Sequence, residues 1–397
     1  MNGYLRTDGR KGIRNLTLVV YLVECAHFVA REIALSFRGE EVQVIGFSGC
    51  YPNDYAHEIL ERLCTHPNVG GVLLVSLGCE GFDRRGLAKA VRRSGRPAET
   101  VVIQAAGGTA AAVTDGTAWI GNILPSLKAA PKVPMAMSDL VVGTICGGSD
   151  GTSGLTANPA IGRAFDHLVS AEARCIFGEN AELIGCEQFM AARATTPDVA
   201  EAVLRAAAKA VRYDHALAHG SFAPGNADGG LTTQEEKSVG AYAKSGGAPI
   251  VGVLKPGNLP ASPGLYLMDD TPDGEPQFGY AQMNDSTKLA ELAASGAHVI
   301  LYSTGRGSVL GSAIAPTIKV CANPATYKRM ASDMDIDAGR ILEGRGDLEA
   351  VGREIFDLVV LAANGERTKS EALGHAEFVL SYKTYQPAGP ACLPGAI

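Results

Sequence analysis

Short runs of β-branched and aliphatic residues recur along the chain, and most close on a glycine turn. They are Val42–Gly46, Val72–Gly78, Val101–Gln104 before Gly107-Gly108, Leu140–Thr144 before Gly147-Gly148, Pro249–Leu254 before Gly257, and His298–Tyr302 before Gly305 and Gly307. Each has the length of a buried strand and lacks polar-apolar alternation, which predicts sheets covered on both faces. Helix signals fall between the runs. Thr196-Pro197-Asp198 offers a cap, a first-turn proline and an acid, after which Val199, Val203, Ala206, Ala210 and Val211 mark one apolar face. Asn158-Pro159 and Asn323-Pro324 repeat the cap-then-proline device. Alternating strand, glycine turn and helix predicts an α/β fold of two Rossmann-like lobes with mainly parallel sheets, and glycine-rich turns at the strand carboxyl ends where ligands bind. Pro125, Pro131 and Pro134 interrupt the pattern, so a division into residues 1–130 and 131–397 is expected. The Gly78, Gly147 and Gly305 turns are expected to face one cleft.

Composition narrows the function. The 397 residues are 46% hydrophobic and 19% charged, which suits a folded chain and not a disordered one. Lys plus Arg is 35 against 42 for Asp plus Glu, so a net charge of -7 gives no broad attraction to nucleic acid or an anionic membrane. An anionic substrate must therefore be gripped by a local cluster. No apolar run approaches the roughly 18 residues of a membrane span, and Met1–Lys11 is polar, so a cytoplasmic location is expected. Nine scattered cysteines without a CxxC pair suggest free thiols in a reducing compartment. Nucleotide binding is not expected: Gly-Lys never occurs, which excludes a P-loop, and Gly305–Gly311 has the wrong spacing and runs on into an extended segment.

Four constellations offer chemistry. Cys146–Gly154 is the densest polar turn, where glycines expose backbone N–H groups beside Ser149, Asp150, Thr152 and Ser153; a tight connection with Asx turns is the plainer alternative. Glu179, Glu182 and Glu187 follow an expected strand at Arg174–Phe177. With Glu182–Ala191 helical, Glu182 and Glu187 would point about 140° apart, so only a loop could aim Glu179 and Glu182 together. Cys79 and Glu80 end the Val72–Leu77 strand and make a candidate pair of metal ligands, unless Cys79 is simply a small core residue. Arg6, Asp8, Arg10, Lys11 and Arg14 form a basic cluster, read as a solvated terminus or an anion clamp.

In order along nearly the whole chain, these segments resemble the altronate/galactarate dehydratase (UxaA-type) hydro-lyases. The resemblance is carried by Gly3–Asn15, His66-Pro67-Asn68, Leu77–Glu80, Ile103–Thr109, Cys146–Gly151 with Ala157-Asn158-Pro159, Pro224–Thr233, Glu235–Ser238, Gly264–Asp269, Thr304–Ser308 and Asp333–Ile336. It implies metal-assisted dehydration of a sugar acid to a 2-keto-3-deoxy acid, with iron or manganese as the divalent ion. It also implies Asp150, Glu179, Glu182 and Lys237 as proton-transfer groups, and Ser149, Asn158 and Arg306 as substrate contacts. Sulfite is an alternative leaving group, and a non-catalytic subunit is an alternative role. Two histidines usual in the family are replaced, since Gly46–Tyr51 reads without the loop His and Glu187 is followed by Gln188. The small amino-terminal β domain of the SAF type is not in the chain, so a separate small subunit is expected as partner, together with a homo-oligomeric assembly.

Overall fold

The computed structural model describes residues 1–217, 223–275, 284–380 and 382–383. Its largest element is a wholly parallel seven-stranded sheet in the order Ile250–Leu254, Gly264–Met268, Arg174–Phe177, Val141–Cys146, Val299–Thr304, Thr317–Cys321, Ile336–Asp337. The central strands are apolar because both faces are covered. Helices Ala157–Ser170 and Leu348–Ala363 pack one face, through Ile161, Phe165, Val351 and Ile355. Helix Asp285–Ala294 covers the other, placing Leu289 and Leu292 against Val141, Ile145, Ile300 and Tyr302.

From Val141–Cys146 the chain builds outward on one side through Arg174–Phe177 and later on the other through Val299–Thr304. The crevice beyond the carboxyl ends of these two strands is therefore a topological switch point, where open α/β sheets bind ligands. A second parallel sheet, ordered Val42–Gly46, Leu16–Tyr21, Val69–Ser76, Ala98–Val102, forms the other α/β unit. The two units share a core, in which Ala293, Ala294, Ile314 and Leu380 pack with Leu18, Ile59, Leu63 and Leu74.

The α/β reading from the sequence holds, and helix Pro197–Leu217 starts at its expected cap, with the Val199 N–H donating to Thr196 Oγ1. Several details differ. Strands Leu16–Tyr21 and Gly264–Met268 join the list, and a small antiparallel sheet ties Asn2–Leu5 to Lys11–Gly12 and Lys132–Pro134. Pro125 does not break its segment but lies within helix Thr109–Lys128, one turn from the end. Asn158 is not a cap: the helix begins at Ala157, and the Asn158 side-chain carbonyl accepts the Ser303 hydroxyl instead.

The amino-terminal arginines are engaged within the protein, on backbone carbonyls and on the carboxylates of Asp8 and Glu371. Arg6 donates to Pro67 O at 2.7 Å, Arg10 to Thr65 O at 2.8 Å, and Arg14 to Ala362 O at 2.9 Å. Beside them two histidines are buried at the junction of the units. His298 accepts the Val141 N–H at Nδ1 and faces Lys11 O with Nε2, which fixes a neutral ring. Burial pushes His298 down to about 4, and burial plus His298 pushes His66 well below the usual range. The unfolded chain thus binds these protons more readily than the folded one, so the stability they contribute is complete above about pH 6.5 and is lost as pH falls towards 4. For His298 alone the loss amounts to roughly 3 kcal/mol. Thermal melts between pH 7.5 and 4.5 should show a falling midpoint, and a flat profile would contradict this role.

Candidate active site

The Cys146 thiol ends its strand at the switch point and is wholly buried among two acids and two lysines. Cys146 Sγ donates to Glu182 Oε2 at 2.9 Å, and the Cys146 backbone N–H donates to Glu179 Oε2 at 3.0 Å. Lys237 Nζ reaches Glu182 Oε1 at 2.9 Å, Ser149 Oγ at 3.0 Å and Cys146 Sγ at 3.2 Å. Lys244 pairs with Glu179 at 2.5 Å and lies 3.9 Å from Glu182. Lys237 lies in helix Gln234–Ala243 and Lys244 caps its end, seven residues on, so both ammonium groups enter from one face. Glu179 is held at φ 71°, a left-handed conformation costing about 1–3 kcal/mol in a non-glycine residue, and this turn aims Glu179 and Glu182 into the same space.

The electrostatics follow from burial and pairing. Burial, reinforced by Glu179 and Glu182, pushes the Cys146 thiol up to about 12, so it stays protonated. Burial disfavours the Glu182 carboxylate, but Lys237 and Lys244 outweigh it and hold the group below the usual range. Burial likewise opposes charge on Lys237 and Lys244, yet the surrounding acids raise both above an ordinary lysine. Two carboxylates and two ammonium groups therefore face one neutral thiol. Glu182 is the most open of the four, with 17% of its side chain exposed against 3% for each lysine.

A second group lines the same crevice. Asp150 Oδ1 accepts from Thr152 Oγ1 at 2.6 Å and the Thr152 N–H at 2.9 Å, and Oδ2 accepts from Asn323 Nδ2 at 2.8 Å. Gly305 makes room for it, since a Cβ there would stand 2.1 Å from Asp150 Oδ1. Arg306 is exposed, and its backbone N–H donates to Gly148 O, so the Gly147 and Gly305 turns meet as expected. On the other face of the sheet, Tyr302 Oη donates to Asp285 Oδ2 at 2.6 Å. Burial pushes Asp285 up to about 6, against the Tyr302 hydrogen bond and with help from the Glu179 and Glu182 charges. Further along that helix, Lys288 pairs with Asp270 and Glu291 with Lys383, while Tyr55 of the first unit donates to Glu291 at 2.6 Å.

Of the residues expected from sequence, Ser149, Glu179, Glu182 and Lys237 are brought into one cluster, Asp150 and Arg306 sit on the turns beside it, and Asn158 is buried against Ser303. Glu182–Ala191 is not one helix: a short 3₁₀ turn at Asn180–Leu183 stops before Glu187–Ala192, and the half-buried Glu187 accepts the Gly185 N–H. Cys146, Lys244, Asn323, Asp285 and Tyr302 were not anticipated. Cys79 and Glu80 lie elsewhere, at the end of the four-stranded sheet. Cys79 is exposed, and Glu80 is occupied by the Ser76 hydroxyl and the Gly78 N–H. Among the described residues no hydrogen bond joins the Gly78 turn to the other two. The eight described cysteines are free, and Cys392 lies outside the described residues.

A metal finds a fitting donor set at the cluster itself. Cys146, Glu179 and Glu182 present ligand atoms within 4.8 Å of one another, and the sulfur-oxygen set suits iron, manganese or zinc. Lys237 and Lys244 now occupy the same atoms, so binding an ion requires them to yield. Gly147 is the tightest point of the crevice, where a Cβ would stand 1.9 Å from Tyr302 Oη. Gly147→Ala is expected to cost about 1–3 kcal/mol through overpacking, and an unchanged melting temperature would contradict that contact.

A parallel sheet with a buried acid-lysine-thiol cluster at its switch point defines an α/β enzyme equipped for proton transfer. Residues 3–128 match the family model for the D-galactarate dehydratase/altronate hydrolase second domain, and residues 137–386 match that for the D-galactarate/altronate dehydratase C-terminal domain. The chain belongs to the D-galactarate/altronate dehydratase family and is a lyase. It is 32% identical to the (2R)-sulfolactate sulfo-lyase subunit beta of Chromohalobacter salexigens over 97% of this chain and 98% of that protein. It is 30% identical to the altronate dehydratase of Bacillus subtilis over 93% of this chain and 75% of that enzyme. The altronate dehydratase of Escherichia coli is 28% identical over 93% and 74%.

Proposed function

We propose that this protein catalyses β-elimination from a 2-hydroxy carboxylic acid, removing the C2 proton and the C3 hydroxyl of a sugar acid to give a 2-keto-3-deoxy acid. The observation that carries this is Glu182, a carboxylate kept ionised by two buried lysines at the mouth of the cluster. Removing a proton next to a carboxylate builds a second negative charge on the substrate, so cations must be fixed around it. Lys237 and Lys244 supply two, and Arg306 offers a planar fork for the substrate carboxylate that a lysine could not copy. Glu182 takes the C2 proton, while Asp150, fixed by Thr152 and Asn323, orients the substrate hydroxyls.

A bound divalent iron or manganese ion would supply Lewis-acid stabilisation of the developing charge, held by Cys146 and Glu179 beside Glu182, which keeps its carboxylate for the C2 proton. Cys146→Ser is expected to lower metal content after anaerobic reconstitution by at least about tenfold at limiting metal. Loss of metal in a Cys79→Ala, Glu80→Ala double variant instead would move the ion to the Gly78 turn.

Sulfite is the second reading for the leaving group, favoured by the end-to-end match with the sulfo-lyase subunit. That relative's designation as a subunit also supports a partner: activity of this chain alone should be low and should rise with a small second polypeptide, and full activity alone would contradict the pairing. The test of function is 2-keto acid release from D-altronate, galactarate and (2R)-sulfolactate with iron or manganese. One acid should stand out, and the leaving group follows from which. No keto acid from any of them, with the partner present, would overturn the reading.

A further inference from the structure

We propose that Tyr302 and Asp285 are the acid half of the elimination, delivering a proton to the departing C3 oxygen from the side of the strand end opposite Glu182. This rests on the lyase reading above. Cys146 points to the sheet face that carries the lysine helix, with Glu179, Glu182, Lys237 and Lys244 around it. The next position, Gly147, faces the other way, where any Cβ would collide with Tyr302 Oη. A phenol otherwise buried to 1% exposure thus reaches the strand end through a gap that glycine alone provides. Tyr302 Oη donates to Asp285 at 2.6 Å, and the Ser308 hydroxyl, on the turn that carries Arg306, bonds the same phenol.

Asp285 is the first residue of its helix, whose Asn284 cap fixes the carboxyl's approach, and the helix is locked by the Lys288–Asp270 and Glu291–Lys383 pairs. The Tyr302 ring packs in the apolar cluster with Ile145, Ile300 and Leu289, and its hydroxyl is the atom that leaves that cluster for Asp285. Two proton-bearing sets therefore face one glycine turn from its two sides. A β-elimination uses such a division, since one group takes a proton from C2 while another gives a proton to the group leaving C3.

The step balances as follows. Glu182 first takes the C2 proton reversibly, leaving the C–H electron pair on C2 and its carboxylate; that pair then forms the C2–C3 double bond as the C3–O bond breaks and Tyr302 Oη gives its proton, releasing water. Asp285 in its protonated form restores the phenol and is reprotonated from solvent, Glu182 gives its proton to solvent, and the enol left behind becomes the 2-keto acid by taking a proton at C3 and losing the one on its oxygen. Sulfite leaves as a stable anion and has less need of this proton.

The experiment compares wild type with Tyr302→Phe and Asp285→Asn on D-altronate and (2R)-sulfolactate in deuterated water, reading 2-keto acid release and exchange of the C2 hydrogen in recovered substrate. With D-altronate, both variants should lose about 10²-fold or more in kcat with KM within about threefold, while C2 exchange continues. With sulfolactate as the working substrate, the loss should be under about tenfold. Thermal melts control for folding, and Asp285→Asn keeps the test intact should Tyr302→Phe unfold. Exchange and release falling together would overturn the acid role, as would unchanged kcat with D-altronate. Wild-type protein without elimination on either acid, with the small second polypeptide present, would instead overturn the lyase reading, and this proposal with it.

Discussion

Lys237→Met should lower turnover by about 10³-fold. Its ammonium touches Glu182, Ser149 and Cys146 within 3.2 Å, so it is the cation nearest both the proposed base and the charge that builds on the substrate. Removing it also removes the larger of the two attractions that hold Glu182 below the usual carboxylate range. The acid limb of the pH–rate profile should therefore move to higher pH in the variant, because the base is protonated sooner. Steady-state rates from pH 5 to 9 check both points. A thermal melt separates them from instability, since Lys237 is only 3% exposed and its loss leaves Glu182 less well compensated. Rates within tenfold of wild type and an unmoved acid limb would contradict the placement of Lys237.

Lys244→Met should be the most destabilising single change in the site, by about 3–5 kcal/mol, because it leaves a buried carboxylate without its charge partner. Glu179 is 8% exposed and also accepts the Cys146 N–H, so its charge cannot turn out to water. Combining Lys244→Met with Glu179→Gln should recover much of the loss, since the orphan charge is then gone. Denaturant unfolding of the two single variants and the double measures the coupling. Additive losses would mean the pair does not matter to the fold.

The sequence made part of this legible for physical reasons. The Gly147 turn stood out because glycines cluster where backbone must approach a ligand or another chain segment, and Ser149 and Asp150 came with it. Glu179 and Glu182 were found by their place after a strand, though the turn that aims them depends on a left-handed Glu179 that no propensity signals. Lys237 came only through family resemblance. Lys244 had a usable signal, seven residues along the same helix face, that was not read. Cys146 and Tyr302 were hidden because thiols and aromatics within apolar strands pass for core, and Asp285 because an acid at a helix start passes for dipole compensation.

The fold shows the same division. Runs such as Val69–Ser76, with all eight residues buried, announce a covered parallel strand. The antiparallel ribbon joining Asn2–Leu5 to Lys132–Pro134 does not, being strands of four and three residues paired across more than a hundred positions. Pro125 misled because a proline in the last turns of a helix sacrifices one hydrogen bond that surrounding packing can offset. Cys79 and Glu80 follow a strand of the four-stranded sheet, while Cys146 ends a strand of the seven-stranded one.

The most direct test of the central claim, that the cluster around Cys146 is the elimination centre, is Glu182→Gln assayed in deuterated water with the best acid of the panel. The wild type should release a 2-keto acid carrying one deuterium at C3. Glu182→Gln should lose both product release and C2 exchange by about 10²- to 10⁴-fold, measured at a temperature where its melt shows the variant folded, because the buried Lys237 loses its charge partner. Undiminished exchange and release in that variant would place the chemistry somewhere other than this cluster.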